Sequence, residues 1–232
     1  MRSAKSLIVS LATRAGLVVK RTRSADPWFT IALLLDTPAP VVFDVGANLG
    51  QTCERCIRRL PGASIYAFEP SPTTYRELRT NTAELAGVQA FNVAMGEEPG
   101  KLPFLESTHP ELSSFFRPGP ANWGTAMQGT FADVSTVDAF RAEHSIDRVH
   151  VLKTDTQGFD LAVLCGADDS FVTGAVDLVL SEITFTPMYD NAPRFDELIR
   201  FMLDRGFRVV GLWITHQEHI AQFGDVLFAR SP

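Results

Sequence analysis

Five short segments of this 232-residue chain have the residue types and spacing that chemistry requires. In Asp44-Val-Gly-Ala-Asn-Leu-Gly50, glycines let the backbone turn tightly and approach a ligand without a Cβ clash. The spacing Gly46-x-x-x-Gly50 departs from the dinucleotide fingerprint, whose glycines seat a pyrophosphate on a helix start. Asp44 would repel phosphate, but it suits a hydrogen bond, direct or through water, from an ammonium group. Phe68-Glu-Pro70 offers the Glu69 carboxylate as acceptor for both hydroxyls of a ribose. Asn92-Val-Ala-Met-Gly96 supplies Ala94 and Met95 as an apolar wall for a base. Together these segments predict a pocket for an adenosine-type cofactor that carries an amine and no phosphate.

The other two segments are acidic. Lys153-Thr-Asp-Thr-Gln-Gly-Phe-Asp160 places Asp155 and Gln157 on a turn facing the same cleft, and Ser181-Glu-Ile-Thr184 places Glu182 beside it. Three readings of the acid pair stay open. Asp155 and Glu182 hold Mg²⁺ or a similar hard cation; one is a general base while the other positions substrate; or both are hydrogen-bonded loop anchors. His109, His216 and His219 are expected in segments overhanging the cleft, with His216 the foremost alternative base, whereas His144 reads as a helix-end residue. Cys53-x-x-Cys56 has redox or zinc spacing, but no second ligand pair follows it, and buried thiols in a reducing cytosol are expected.

Positioning these groups requires strand ends. Val41–Val45, Ser64–Phe68, Val88–Val93, Val149–Thr154 and Val176–Ile183 are short apolar strand candidates, alternating with helices at 51–60, 73–85, 135–144, 159–164 and 193–205. Ser135 with Asp138 is the expected cap of the third of these helices. The alternation implies a doubly wound α/β domain with a parallel sheet, and each acidic or glycine segment falls at the carboxyl end of a strand. Strands at 207–214 and 226–229, joined by a loop of about ten residues, are too close for a crossover helix and predict a closing antiparallel hairpin.

Composition frames the rest. Hydrophobic residues form 45% of the chain and charged residues 21%, as in globular enzymes, and a net charge of −6 argues against a general nucleic-acid binder. Residues 1–25 carry six basic groups and no acid, leaving the remainder at −12 (15 basic, 27 acidic). Residues 1–40 are therefore expected as a basic helical arm. It would pack on the domain or on a partner subunit in a homo-oligomer, the alternative being peripheral contact with an anionic membrane. Arg14 interrupts the arm's apolar run, so a cytoplasmic location is expected. Residues 41–232 form the expected catalytic domain. Its stretch at about 98–130, rich in Pro, Gly and isolated aromatics such as Phe115, Phe116 and Trp123, reads as an acceptor-side insertion.

Three of the segments carry a family resemblance. Val-Phe-Asp-Val-Gly-Ala-Asn-Leu-Gly-Gln (42–51), Phe-Glu-Pro-Ser-Pro (68–72) and Leu-Lys-Thr-Asp-Thr-Gln-Gly-Phe-Asp (152–160) resemble the FkbM family of methyltransferases over roughly residues 41–230. The resemblance implies a mostly parallel, seven-stranded Rossmann-like methyltransferase sheet. It also implies methyl transfer from S-adenosylmethionine to an oxygen, often of a sugar, glycan or natural product. It assigns Asp44, Gly46, Asn48 and Gly50 to the methionine end of the donor, Glu69 to its ribose and Ala94 to its adenine, and places Asp155 in the cleft. The sequence departs from many relatives at Gln157, where an acid is common; this removes one metal ligand. The rival readings are a nicotinamide-dependent oxidoreductase, disfavoured by the glycine spacing, and a non-catalytic nucleoside-cofactor-binding module, disfavoured by the acids.

Overall fold

The computed structural model describes residues 26–121, 127–217 and 219–230. The basic arm through residue 25, together with Trp123, lies outside the described residues. Helix α1 (Pro27–Leu34) is capped by Asp26, which accepts from the Trp28 amide at 3.1 Å. There follow β1 (Val41–Val45), α2 (Gln51–Arg59), β2 (Ser64–Phe68), α3 (Pro72–Thr82) and β3 (Val88–Phe91). Then come β4 (Ala94–Met95), β5 (Gly100–Ser107), a single 3₁₀ turn at Pro110–Leu112, β6 (Met127–Ser135), α4 (Val137–Glu143) and β7 (Val149–Thr154). The chain closes with α5 (Asp160–Cys165), α6 (Asp168–Val172), β8 (Val176–Thr184), α7 (Phe195–Asp204), β9 (Phe207–Gln217) and β10 (Ile220–Arg230).

Seven strands form one sheet in the order β3-β2-β1-β7-β8-β10-β9. The first five are parallel, and β10 runs antiparallel to both β8 and β9. Strands β1 and β7 are buried on both faces, so their alternate side chains feed two cores. Val42 and Val151 pack with Trp28, Ile31, Cys53, Cys56 and Leu78 from α1, α2 and α3. Phe43 and Leu152 pack with Phe140, Val163, Phe171 and Met202 on the other face. There Phe140 meets Phe43, Phe68 and Phe91 edge-on, at centroid distances of 5.6, 4.7 and 5.0 Å.

Three local expectations are corrected. Helix α4 is capped by Thr136, which accepts from the Ala139 amide at 3.0 Å, and not by Ser135; Asp138 instead receives the amides of Asp169 and Ser170 at the start of α6. The insertion is not irregular: β5 and β6 pair antiparallel over eight residues each, with β4 alongside β6. Only Phe104 of β5 is buried, so the strand shows no two-residue alternation. The closing hairpin has no ten-residue loop. Its strands pair from Phe207 with Arg230 out to Gln217 with Ile220 through a bulge near Ala221, because backbone pairing runs past the point where apolar alternation ends. His144 does end its helix, stacked on Phe140 at 4.0 Å.

The aromatic cluster yields an expectation for stability. Phe140→Ala should lower unfolding free energy by about 3–5 kcal/mol in denaturant titrations, since four neighbouring rings lose their shared edge contact; a loss below about 1 kcal/mol would show that the cluster collapses around the gap.

Candidate active site

The sheet's strand order reverses between β1 and β7, and the loops leaving these strands touch. The Asp155 amide donates to the Val45 carbonyl at 3.1 Å. A Cβ on Gly46, whose φ is +75°, would lie 1.9 Å from the Asp155 carbonyl oxygen, so glycine is required there. Beneath the contact lies a buried ion pair. Lys153 Nζ stands 2.9 Å from Asp44 Oδ1, donates to the Gly46 carbonyl at 3.0 Å and reaches Asp155 Oδ2 at 3.8 Å. Burial alone would lower the Lys153 pKa, but Asp44 and Asp155 outweigh it and hold the ammonium charged, above the usual lysine range.

Asp44 lines neither cavity at this switch point. Its other oxygen accepts from the Cys53 thiol at 3.4 Å, so the carboxylate is a buried anchor behind the loop. Cys53 and Cys56 are buried in α2, with thiol pKa values pushed up by burial and by Asp44. Gly50, at φ +95°, lets α2 lie against Leu78 and Thr82 of α3 and likewise stands away from the cavities.

The loop's own amides are already spent. Those of Gly46 and Ala47 donate to the Phe68 carbonyl, that of Gly50 to the Ala47 carbonyl, and that of Asn48 to Glu69 Oε2 at 3.0 Å. The loop therefore presents few free donors to a phosphate, unlike a dinucleotide-binding turn. Glu69 also accepts from the Ser71 amide at 2.9 Å. Burial raises its pKa to about 7 against the lowering effect of those two amides.

Glu69 walls a cleft with about 590 Å³ of free space, shared with Gly46, Asn48, Ala94, Met95 and Gln157. The insertion contributes Phe104, Glu111, Ser113 and Phe115 to the same cleft, and Ser71 Oγ hydrogen-bonds Glu106 of β5. Phe115 packs on Phe104 and on Phe159, at 4.9 and 4.4 Å. The insertion thus helps build the pocket of the donor-type motifs. A second, more polar cavity adjoins across Gly46, Asn48 and Asp155, where it is lined by Gln51, Thr52, Arg55, Lys153 and Asp225. Asn48 Oδ1 is buried there without a hydrogen-bond partner.

Asp155 and Glu182 are brought together, but not as a cation site. Gln157 Nε2 donates to Asp155 Oδ1 at 3.0 Å and to Glu182 Oε2 at 3.1 Å. Among the described residues no three His, Cys, Asp or Glu side chains converge as metal ligands, so the expected divalent cation finds no support. Burial, then Asp155, Asp160 and Asp225, keep Glu182 well above the usual carboxylate range. Asp160 and Asp225 are each raised to about 6 by burial and by Asp155. His216 lies exposed on β9 opposite Ala221, His219 in the hairpin turn and His109 at the 3₁₀ turn; none of the three lines either cavity. Sequence reasoning overlooked Lys153, Asp160 and Asp225. A lone lysine ending the apolar strand Val-His-Val-Leu-Lys-Thr was the available signal.

The methyltransferase FkbM domain model matches residues 44–209, from the end of β1 into β9. The chain belongs to the FkbM methyltransferase family. It is 28% identical over 182 residues to 2-O-methyltransferase NoeI of Sinorhizobium fredii, covering 72% of this chain and 74% of that protein. It is 26% identical over 200 residues to 31-O-demethyl-FK506 methyltransferase FkbM of Streptomyces tacrolimicus, covering 75% and 74%. With the hexuronic acid methyltransferase AglP of Haloferax volcanii it shares 27% over 144 residues, covering 62% and 55%. Its fold is that of the magnesium protoporphyrin IX methyltransferase ChlM of Synechocystis, solved with bound SAM. The TM-score is 0.50 and the identity 9%, over 100% of this chain and 86% of that one. The protein is therefore a methyltransferase on a Rossmann-like sheet, and among the described residues no helix is long and apolar enough to cross a membrane.

In this FkbM-family chain the Lys153–Asp44 pair makes a direct test possible. Lys153→Met should cost about 3–5 kcal/mol of stability by stranding the Asp44 carboxylate, and Asp44→Asn in the same chain should restore most of it. Additive losses in the double variant, measured by denaturation, would show that the two groups do not interact.

Proposed function

We propose that this methyltransferase uses S-adenosylmethionine to methylate a hydroxyl oxygen of a sugar, glycan or natural-product acceptor. The observation that carries the donor assignment is the pairing of Glu69, set in the cleft wall, with a glycine loop whose amides are turned inward. A carboxylate oxygen has two acceptor sites, and each Glu69 oxygen spends one on a backbone amide, so capacity remains for two ribose hydroxyls. Ala94 and Met95 offer an apolar face to the base. The orphaned Asn48 oxygen and the polar second cavity suit an amino-acid tail with its ammonium, and Arg55 with Thr52 suits its carboxylate. When bound, the donor supplies a methyl group on positively charged sulfur. Asp155, which lines both cavities, and Asp225, which lines the second, set acidic groups beside the donor space, which favours that charge.

The acceptor hydroxyl must lose its proton as its oxygen is methylated. Asp155 stands where the two cavities meet, half-exposed, with one oxygen on Gln157 and the other within 3.8 Å of Lys153. In this reading Asp155 takes that proton and Glu182 positions it through Gln157. Phe115 and other insertion residues wall the cleft, which would help exclude water once it is filled. Oxygen transfer to a sugar or natural product is supported by the relatives' named activities, among them a 2-O-methyltransferase and a hexuronic acid methyltransferase.

Three measurements test the reading. Isotopically labelled donor incubated with hydroxylated glycans and polyketide-type metabolites should give a product whose label survives alkaline hydrolysis as an ether; labelling confined to nitrogen or esters would contradict it. Glu69 has a raised folded value, so protonation stabilises the ligand-free protein at low pH, and that contribution fades as pH rises from about 4.5 through about 7. Ribose hydroxyls donate best to the ionised form. Donor affinity by calorimetry should therefore rise between pH 6 and 8, and Glu69→Gln should flatten the rise and weaken binding about tenfold or more. Asp155→Asn should cut turnover by about 10²-fold or more while donor affinity stays within about threefold; unchanged turnover would return Asp155 to a structural role.

A further inference from the structure

We infer that Gln157 is a positioning residue that stands where a bridging cation would stand, cross-linking Asp155 and Glu182 through its side-chain amide. This inference rests on the proposed role of Asp155, although its central test does not require methyl transfer.

The side chain is fully committed. Its two N–H groups go one to each acid, at 3.0 and 3.1 Å, and its Oε1 accepts from the Tyr189 hydroxyl at 2.7 Å. The Tyr189 contact orients the amide, because a carboxylate facing it needs donors and the hydroxyl supplies a donor to the remaining oxygen. The backbone is held as firmly. Ser114 Oγ donates to the Gln157 carbonyl at 2.7 Å, and Gln157 sits at φ +55°, a left-handed conformation uncommon for a side-chain-bearing residue. Insertion, β8 loop and β7 loop therefore converge on one amide.

A hard cation ligated by both acids would lie about 2.0–2.6 Å from an oxygen of each. The amide nitrogen is within hydrogen-bond reach of Asp155 Oδ1 and Glu182 Oε2 together, and nitrogen bearing two hydrogens offers a cation no lone pair. To turn its oxygen inward the amide would have to give up the Tyr189 donation and both acid contacts. The surroundings supply a compensating charge of another kind: Lys153 from β7 faces Asp155, while Asp160 from α5 and Asp225 from β10, directly opposite Glu182 in register, face the pair as further acids. The amide bridge ties the two carboxyl groups together beside their direct contact and leaves the second oxygen of Asp155 toward Lys153.

Mn²⁺ titrations followed by electron paramagnetic resonance, on the full chain saturated with S-adenosylhomocysteine, read this directly. Wild type should leave the free-ion signal undiminished up to about 1 mM, the range of weak carboxylate sites. Gln157→Glu, which puts a third carboxylate where the amide was, should deplete it with affinity at least about tenfold higher. Tyr189→Phe, which releases the amide to rotate while leaving both acids in place, should gain affinity in the same direction and serves if the first variant does not fold. Wild-type uptake of Mn²⁺ that Asp155→Asn abolishes would overturn the inference, as would a lack of any gain in folded Gln157→Glu or Tyr189→Phe. Failure of S-adenosylhomocysteine to bind would instead count against the proposed donor.

Discussion

The ion pair between Lys153 and Asp44 is the interaction on which the site depends. Register places the two residues side by side on the parallel strands β1 and β7, at the point where strand order reverses. Both are buried, and desolvating two charges costs several kcal/mol per ion. The cost is offset because the ammonium also donates to the Gly46 and Val45 carbonyls and sits near Asp155, so one cation satisfies the ends of two strands at once. The left-handed turn at Gly46 and the close approach of Asp155 follow from that anchoring. The pair thus specifies loop geometry more than it adds stability.

Charge balance then shapes the chemistry. Four acids, Asp155, Asp160, Glu182 and Asp225, gather where the carboxyl ends of β7 and β8 meet the antiparallel β10, near the buried Lys153. Burial and the neighbouring Asp155 push Asp160 and Asp225 to about 6 and hold Glu182 well above the usual carboxylate range. Asp155 is the most exposed contact of the lysine and the one adjoining both cavities.

The insertion joins this arrangement through backbone contacts. Gly119 and Ala121 donate to the carbonyls of Met188 and Pro187, and Asp190 donates back to Arg117, so the insertion and the loop after β8 form one ladder. A Cβ on Gly119 would fall 2.4 Å from the Pro187 oxygen, and the close approach needs a glycine.

The sequence by itself determined the scaffold and several of the residues that line the cleft. Buried β-branched runs alternating with helices specify a parallel sheet because strands covered on both faces must be apolar throughout, and Gly46, Glu69, Ala94 and Asp155 fall at strand ends for that reason. What it could not show was partnership across distance. The pairing of Asp44 with a lysine 109 residues away along the chain was not legible, and Asp160 and Asp225 gained meaning only beside Glu182. The hairpin within the insertion was hidden because a strand with one buried side chain has no alternation to read. His216 looked close to the cleft while the closing hairpin was read as a loop; continuous pairing carries it out to solvent. Hydrophobic periodicity is local and survives in one dimension, whereas ion pairs and amide bridges join residues far apart in the chain, so only the folded arrangement decided which acids share a proton, a lysine or Gln157.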